Sequence, residues 1–348
     1  MQAVTFPRTH ADLTRLVGGG RQWALIAAGL IVAAALPYAV NSYVLGYATL
    51  VLITAVGAVG FNILVGWTGL VSLGYAGFLA VGAYTAGFLM SKWGWSVLAA
   101  LPAAGVVCGL VSLLVGIPSL RLKGLYLAIT TLAFSVITNH LILLAKPITG
   151  GSAGLRVPRP VVFGMDMTSD RALYLICLVV LVLAVIFAFN IRRSYVGRAL
   201  FAIRDYEVAA RVLGVNVVAY KLLSFALSSA VIGIAGGLFA MHLRYLNVES
   251  FELILSIEAV SIVIVGGLGS VAGAILGSGF MVLLPEMTRL AFSAAGGSLG
   301  GVFSSNAQEV KGVIFGLVII LFLRFAPAGL VGAFSRLGAR IRRWPLAY

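Results

Sequence analysis

The feature that most constrains this chain is a succession of apolar runs, each about as long as a lipid bilayer is thick, separated by short polar punctuation. A helix needs roughly 20 mostly apolar residues to cross the hydrocarbon core, and backbone at that depth must satisfy its own hydrogen bonds. Runs at 23–43, 45–65, 70–90, 96–117, 124–145, 171–190, 222–243, 253–266, 270–291 and 310–326 therefore predict an all-α, polytopic integral membrane helix bundle of about ten spans. The third begins with small residues from Leu70, and the eighth is short and ends at Gly266-Gly267, so both read as broken or re-entrant elements. Charged residues are 10% of 348 positions, against about 25% in soluble domains. The chain lacks the polar surface to face water on all sides.

The formal charge of +14 raises the question of nucleic acid, but in a membrane chain the position of the charges matters first. With the amino terminus placed in the cytoplasm, sixteen Lys and Arg fall inside and eight outside. Positively charged loops resist translocation. The bias predicts both termini inside, a lipid bilayer as surroundings and no nucleic-acid partner. Residues 1–22 read as a cytoplasmic arm, not a signal peptide, because they lack a short apolar core before a cleavage site. Residues 23–330 form the membrane domain, with a cytoplasmic loop at about 191–221, and 331–348 a basic cytoplasmic tail.

Enzyme chemistry is not indicated. Cys108 and Cys177 lie in apolar runs and read as small buried side chains. His10, His140 and His242 are far apart and lack metal-ligand spacing, so neither a metal nor a cofactor is expected. The glycine-rich stretch Gly266–Gly273 has no lysine and follows an apolar run, unlike a phosphate-cradling loop. If ATP drives this protein, another chain binds it.

Polar residues inside the apolar runs are the candidates for a path. Glu258 sits mid-run, where an acid costs about 2.5 to 3.5 kcal/mol on insertion scales. It either borders a translocation path with Ser256 and Ser261 nearby, or is a hydrogen-bonded structural acid. Asn62, Trp67, Thr68, Ser72 and Tyr75 cluster where the second run meets the third, and either line water or pack helices. Glycines spaced by four, Gly269/Gly273/Gly277, Gly233/Gly237 and Gly312/Gly316, offer close helix contact or a sliding surface. The outer turn at Thr149, Gly150, Gly151 and Ser152 is an ordinary turn or a contact for a soluble partner.

The loop Arg198–Lys221 reads as a short amphipathic helix. Glu207 and Arg211 stand four apart in the favourable order, and Gly214 suits a left-handed end. Such a helix docks into a partner's groove or lies at the lipid interface.

The pattern Glu207-Val-Ala209-Ala210-x-x-x-Gly214 is similar to the glutamate-alanine-alanine…glycine coupling loop of bacterial ABC importer permeases, with one residue inserted after the glutamate. Asn62 to Ala86, Arg121 to Phe134, Thr149 to Leu155, Glu249 to Ser278 and Arg324 to Gly332 resemble, in order, the LivM-type permeases of branched-chain amino acid transport. The resemblance implies a transport subunit of the bacterial inner membrane, working with a LivH-type permease chain, two cytoplasmic ATPase subunits and a periplasmic substrate-binding protein. It implies that Arg204, Asp205, Glu207, Ala209, Ala210 and Gly214 contact an ATPase. Asn62, Ser72, Tyr75, Glu258 and Ser261 are the expected path residues. Leucine, isoleucine and valine are the first expected substrates. Urea or short amides are the alternative within the family, an ion-coupled secondary transporter is the rival class, and a scaffold subunit is a third reading.

Overall fold

The computed structural model describes residues 20–119, 124–158, 161, 162, 165, 166, 169–295, 316, 317, 320–322, 324 and 329–332. Nine long helices occupy the first nine apolar runs. They are α1 (Gly20–Ala39), α2 (Ser42–Thr68), α3 (Tyr75–Lys92), α4 (Val97–Ser119), α5 (Leu125–Leu144), α7 (Asp170–Arg193), α10 (Val217–Leu243), α11 (Leu253–Gly266) and α12 (Val271–Ala295). Between them, among the described residues, lie three short helices: α6 (Lys146–Thr149), α8 (Tyr195–Asp205) and α9 (Glu207–Val212). Of the tenth run, residues 316, 317, 320–322 and 324 are described, and they are helical. Residues 1–19 and 333–348, with Gly312, lie outside the described residues.

Among the described residues, five helices, α2, α4, α5, α7 and α10, are long and apolar enough to cross a membrane by themselves. Their ends carry local signals. Ser169 caps α7 by accepting the Ala172 N–H at 3.3 Å, with Asp170 in the first turn and Arg192 and Arg193 in the last. Those charges complement the helix dipole at each end. Asn216 caps α10 by accepting the Ala219 N–H at 3.1 Å.

At the centre lies α10, packed against α2, α3 and α4. Its approach to α3 is a backbone contact: a Cβ on Gly82 would stand 2.5 Å from Gly233 Cα. In lipid, helices gain little from apolar burial against one another, so such close approach supplies much of the packing. Gly273 and Gly277 do the same between α12 and α11. Gly269, which the four-residue spacing placed with them, lies before α12 in the turn, at φ 84°. Cys108 and Cys177 are free and buried.

Both irregular spans are interrupted. Residues 69–74 are non-helical, and α3 starts only at Tyr75. With 14 residues, α11 covers roughly 21 Å at 1.5 Å per residue, short of a core about 30 Å thick. It runs into residues 267–270 and then α12, which packs along it.

At the end of α10 away from α8 and α9, two loops pair as β1 (Leu155–Arg156) and β4 (Tyr245–Leu246), antiparallel with Leu155 opposite Leu246. A second short pair joins β2 (Val161–Val162) to β3 (Met165–Asp166). Arg244, at φ 61°, ends α10 and pairs with Asp170 at 3.2 Å. The neighbouring turn is organised by Thr149, buried at 5% exposure. Its hydroxyl donates to the Ile142 carbonyl at 2.6 Å and accepts the Gly151 N–H at 3.1 Å.

Candidate transport site

Where α3 begins, its first N–H groups lack intrahelical partners, and a buried helix start must find them elsewhere. Side chains from two other helices supply them. Ser256 of α11 accepts the Ala76 N–H at 3.0 Å, and Ser135 of α5 accepts the Gly77 N–H at 3.2 Å. Thr131 accepts the Leu73 N–H at 2.9 Å, and Ser72 accepts the Gly74 N–H at 3.2 Å. The broken segment is thus held by four hydroxyls inside protein.

This arrangement fixes Tyr75 on the wall of a cavity of about 300 Å³ bounded by α2, α3, α10, α11 and α12. Tyr75 packs edge-on against Phe61, with ring centroids 5.5 Å apart. Glu258 of α11, 8% exposed, lines the same cavity, together with Thr54 and Tyr47 of α2. Leu50, Ile53, Leu79, Ile262 and Val282 make most of the rest apolar. Such a space, apolar with a few converging polar groups, suits a small molecule that has one charged end and one aliphatic end. A larger cavity of about 440 Å³ between α4, α7 and α10 presents only apolar residues such as Leu98, Leu183, Phe187 and Ile234, and gives a charged solute nothing to pair with.

Beside the polar cavity, the Tyr43 and Tyr47 hydroxyls donate to the two carboxylate oxygens of Glu286 at 2.9 and 3.0 Å. This clamp joins α2 to α12 one residue from Pro285, itself a cavity residue.

The α7–α10 connection is two helices, not the single one its periodicity suggests. Tyr206 adopts an extended conformation (φ −154°, ψ 95°) between α8 and α9. Leu200 and Ile203 of α8 and Ala210 of α9 face the protein. Glu207 binds Lys221 of α10 at 2.8 Å and Arg211 at 3.3 Å. Gly214 takes φ 85°. These anchors leave Tyr206, Val208, Val212 and Leu213 projecting, at 76, 74, 83 and 82% exposure.

Residues 43–323 match the family described as the permease component of branched-chain amino acid transport systems. The chain belongs to that family. It is similar to the high-affinity branched-chain amino acid transport system permease protein LivM of Salmonella typhimurium, with 33% identity over 335 residues, covering 89% of this chain and 75% of the relative. LivM of Escherichia coli matches with the same identity and coverage. A probable LivH permease of Methanocaldococcus jannaschii is 27% identical over 260 residues, covering 72% of this chain and 80% of the relative. No solved structure matches the chain.

The permease is a transport subunit of an ABC system, with no catalytic centre of its own implied by the family. Within it, the five path candidates separate. Tyr75 and Glu258 share the cavity. Asn62 instead accepts the Gly269 N–H at 2.9 Å, Ser72 holds the α3 start, and Ser261 donates to the Ile257 carbonyl at 2.7 Å. Among the loop candidates, Asp205, Ala209 and Gly214 are exposed, Glu207 is half-buried and Ala210 is buried at 2% exposure. Arg204 is exposed as well, but its guanidinium donates to the Gly66 carbonyl. Sequence reasoning passed over Glu286, although an acid within an apolar run was the signal that singled out Glu258. It also passed over Ser135 and Thr131, which as hydroxyls on a helix gave no distinguishing signal.

Proposed function

We propose that this permease carries branched-chain amino acids inward across the bacterial inner membrane, with both termini cytoplasmic. It pairs with a second, LivH-type permease chain, receives substrate from a periplasmic binding protein and is driven by two cytoplasmic ATPase subunits. The observation that carries this reading is the 33% identity over 335 residues to transporters bearing that substrate in their names. The cavity adds a chemical argument. Its aliphatic lining accommodates a branched side chain, and the Glu258 carboxylate offers a partner to an ammonium group. Urea has no apolar end to bury there.

The coupling surface in this reading is centred on Asp205, Glu207, Ala209, Ala210 and Gly214, with Tyr206, Val208, Val212 and Leu213 as its apolar contacts. Four large apolar side chains projecting from so short a segment form a patch of the kind that marks an interaction site. ATP binding shifts the permease between inward-open and outward-open states only by as much as the ATPases' grip on this surface differs between them.

The test is reconstitution. The chain is co-expressed with the partner subunits named above and the complex placed in vesicles with binding protein and labelled leucine. Uptake that requires ATP, and competition by isoleucine and valine but not urea, is the expected result. Uptake that follows an ion gradient without ATP overturns the reading.

A further inference from the structure

The guanidinium of Arg204 reaches the one turn on which both cavity-lining helices of the carboxy-terminal half depend. Its stem leaves α8 beside Gly69, where a Cβ would lie 3.3 Å from Arg204 Cγ. Its Nη1 donates to the Gly66 carbonyl, one of the last four carbonyls of α2, which have no partner within the helix. The same nitrogen lies 3.1 Å from where a Cβ on Gly269 would stand. Gly69 and Gly269 have φ of 71° and 84°, so the passage is bounded by two residues in left-handed conformation.

Gly269 belongs to the turn 267–270 between α11 and α12. Two bonds fasten it to α2: Asn62 Oδ1 accepts its N–H at 2.9 Å, and Trp67 Nε1 donates to its carbonyl at 3.1 Å. Gly329 closes in from another side, where a Cβ would stand 2.5 Å from both Gly267 N and Gly267 Cα. The Trp67 ring also lies 5.9 Å from that of Phe201 on α8. Asn62 Nδ2 is buried with no hydrogen-bond partner among the described residues. From the turn, α11 carries Glu258 and Ile262 to the cavity, and α12 carries Val282 and Pro285.

We propose that Arg204 is a positioning residue that transmits movement of the α8–α9 segment to the α11–α12 turn, and through it to the cavity walls. This rests on the reading that an ATPase grips that segment. Arginine suits the role because a rigid, permanently charged fork can hold a carbonyl while its stem packs between backbones. Lysine supplies the charge as a flexible point donor.

The experiment uses the assembled transporter in vesicles with Arg204→Gln and Arg204→Lys. Spin labels placed at exposed Leu283 on α12 and Leu110 on α4 report the ATP-linked distance change. In Arg204→Gln the ATPase subunits still copurify and hydrolyse ATP, while uptake per ATP falls roughly tenfold to a hundredfold, the worth of a charge-assisted hydrogen bond. The ATP-linked change at Leu283 disappears with it. Arg204→Lys falls between this variant and the parent, and decides the matter if Arg204→Gln does not assemble. Unchanged uptake per ATP in the decisive variant overturns the proposal, as does loss of the ATPase subunits from an intact permease, which would make Arg204 a docking residue. Absence of ATP-dependent uptake in the unsubstituted protein overturns the importer reading itself, and is distinguishable because it precedes any substitution.

Discussion

Truncating Val212 and Leu213 to alanine together tests whether the projecting end of α9 is a gripping surface. Both are more than four-fifths exposed in the isolated chain, so their removal leaves its interior untouched. Val→Ala deletes two carbons and Leu→Ala three. At about 0.8 kcal/mol per buried carbon, full burial of both against an ATPase puts roughly 4 kcal/mol at stake. At 1.4 kcal/mol per decade this weakens association by about three orders of magnitude. The assay is titration of purified ATPase subunit against the permease in nanodiscs, with the thermal unfolding midpoint of the permease as control. The expected result is a large rise in Kd with an unmoved midpoint. An unchanged Kd would refute the reasoning, because side chains that stay in water on both sides of the equilibrium contribute nothing to it. A fallen midpoint would instead show that they pack within the chain or on lipid.

Three other outcomes follow from the packing and the cavity. Gly82→Ala drives a Cβ into the main chain of Gly233, and should cost about 1–3 kcal/mol as overpacking, read as a lowered unfolding midpoint in detergent; no change would mean that α3 and α10 part easily. Ser256→Ala removes the acceptor for the Ala76 N–H and should cost about 0.5–2 kcal/mol, as cap losses do, which hydrogen exchange at Ala76 would register. Glu258→Leu should abolish uptake of leucine, because it removes the carboxylate that the cavity offers to an ammonium group. Retained uptake would return Glu258 to a structural role.

The helices were legible because lipid imposes a length and an apolar composition that leave few alternatives, and the run 253–266 coincides with α11 residue for residue. The two interruptions were legible for a related reason: the glycines at 69, 74, 267 and 269, with Ser72 and Ser270, weaken a helix where they cluster. What the sequence hid was direction. Asn62 and Arg204 both read as functional polar residues, but which way each side chain turns depends on residues more than a hundred positions away, Gly269 for one and Gly66 for the other. The split of the loop at Tyr206 was hidden as well, since Ala202 to Arg211 holds neither Gly nor Pro to mark a break. Tertiary anchoring by Ile203, Ala210 and Lys221 overrides that local preference.

The ion pair between Glu207 and Lys221 has a further implication for speed and selectivity. Six residues are too few to keep a helical turn intact alone, yet here the turn is pinned to the foot of α10 before anything touches it. A protein that docked there as proposed would meet a finished knob and lose little to ordering it. A groove cut for a different knob gains nothing from waiting, since this one does not remould itself to fit.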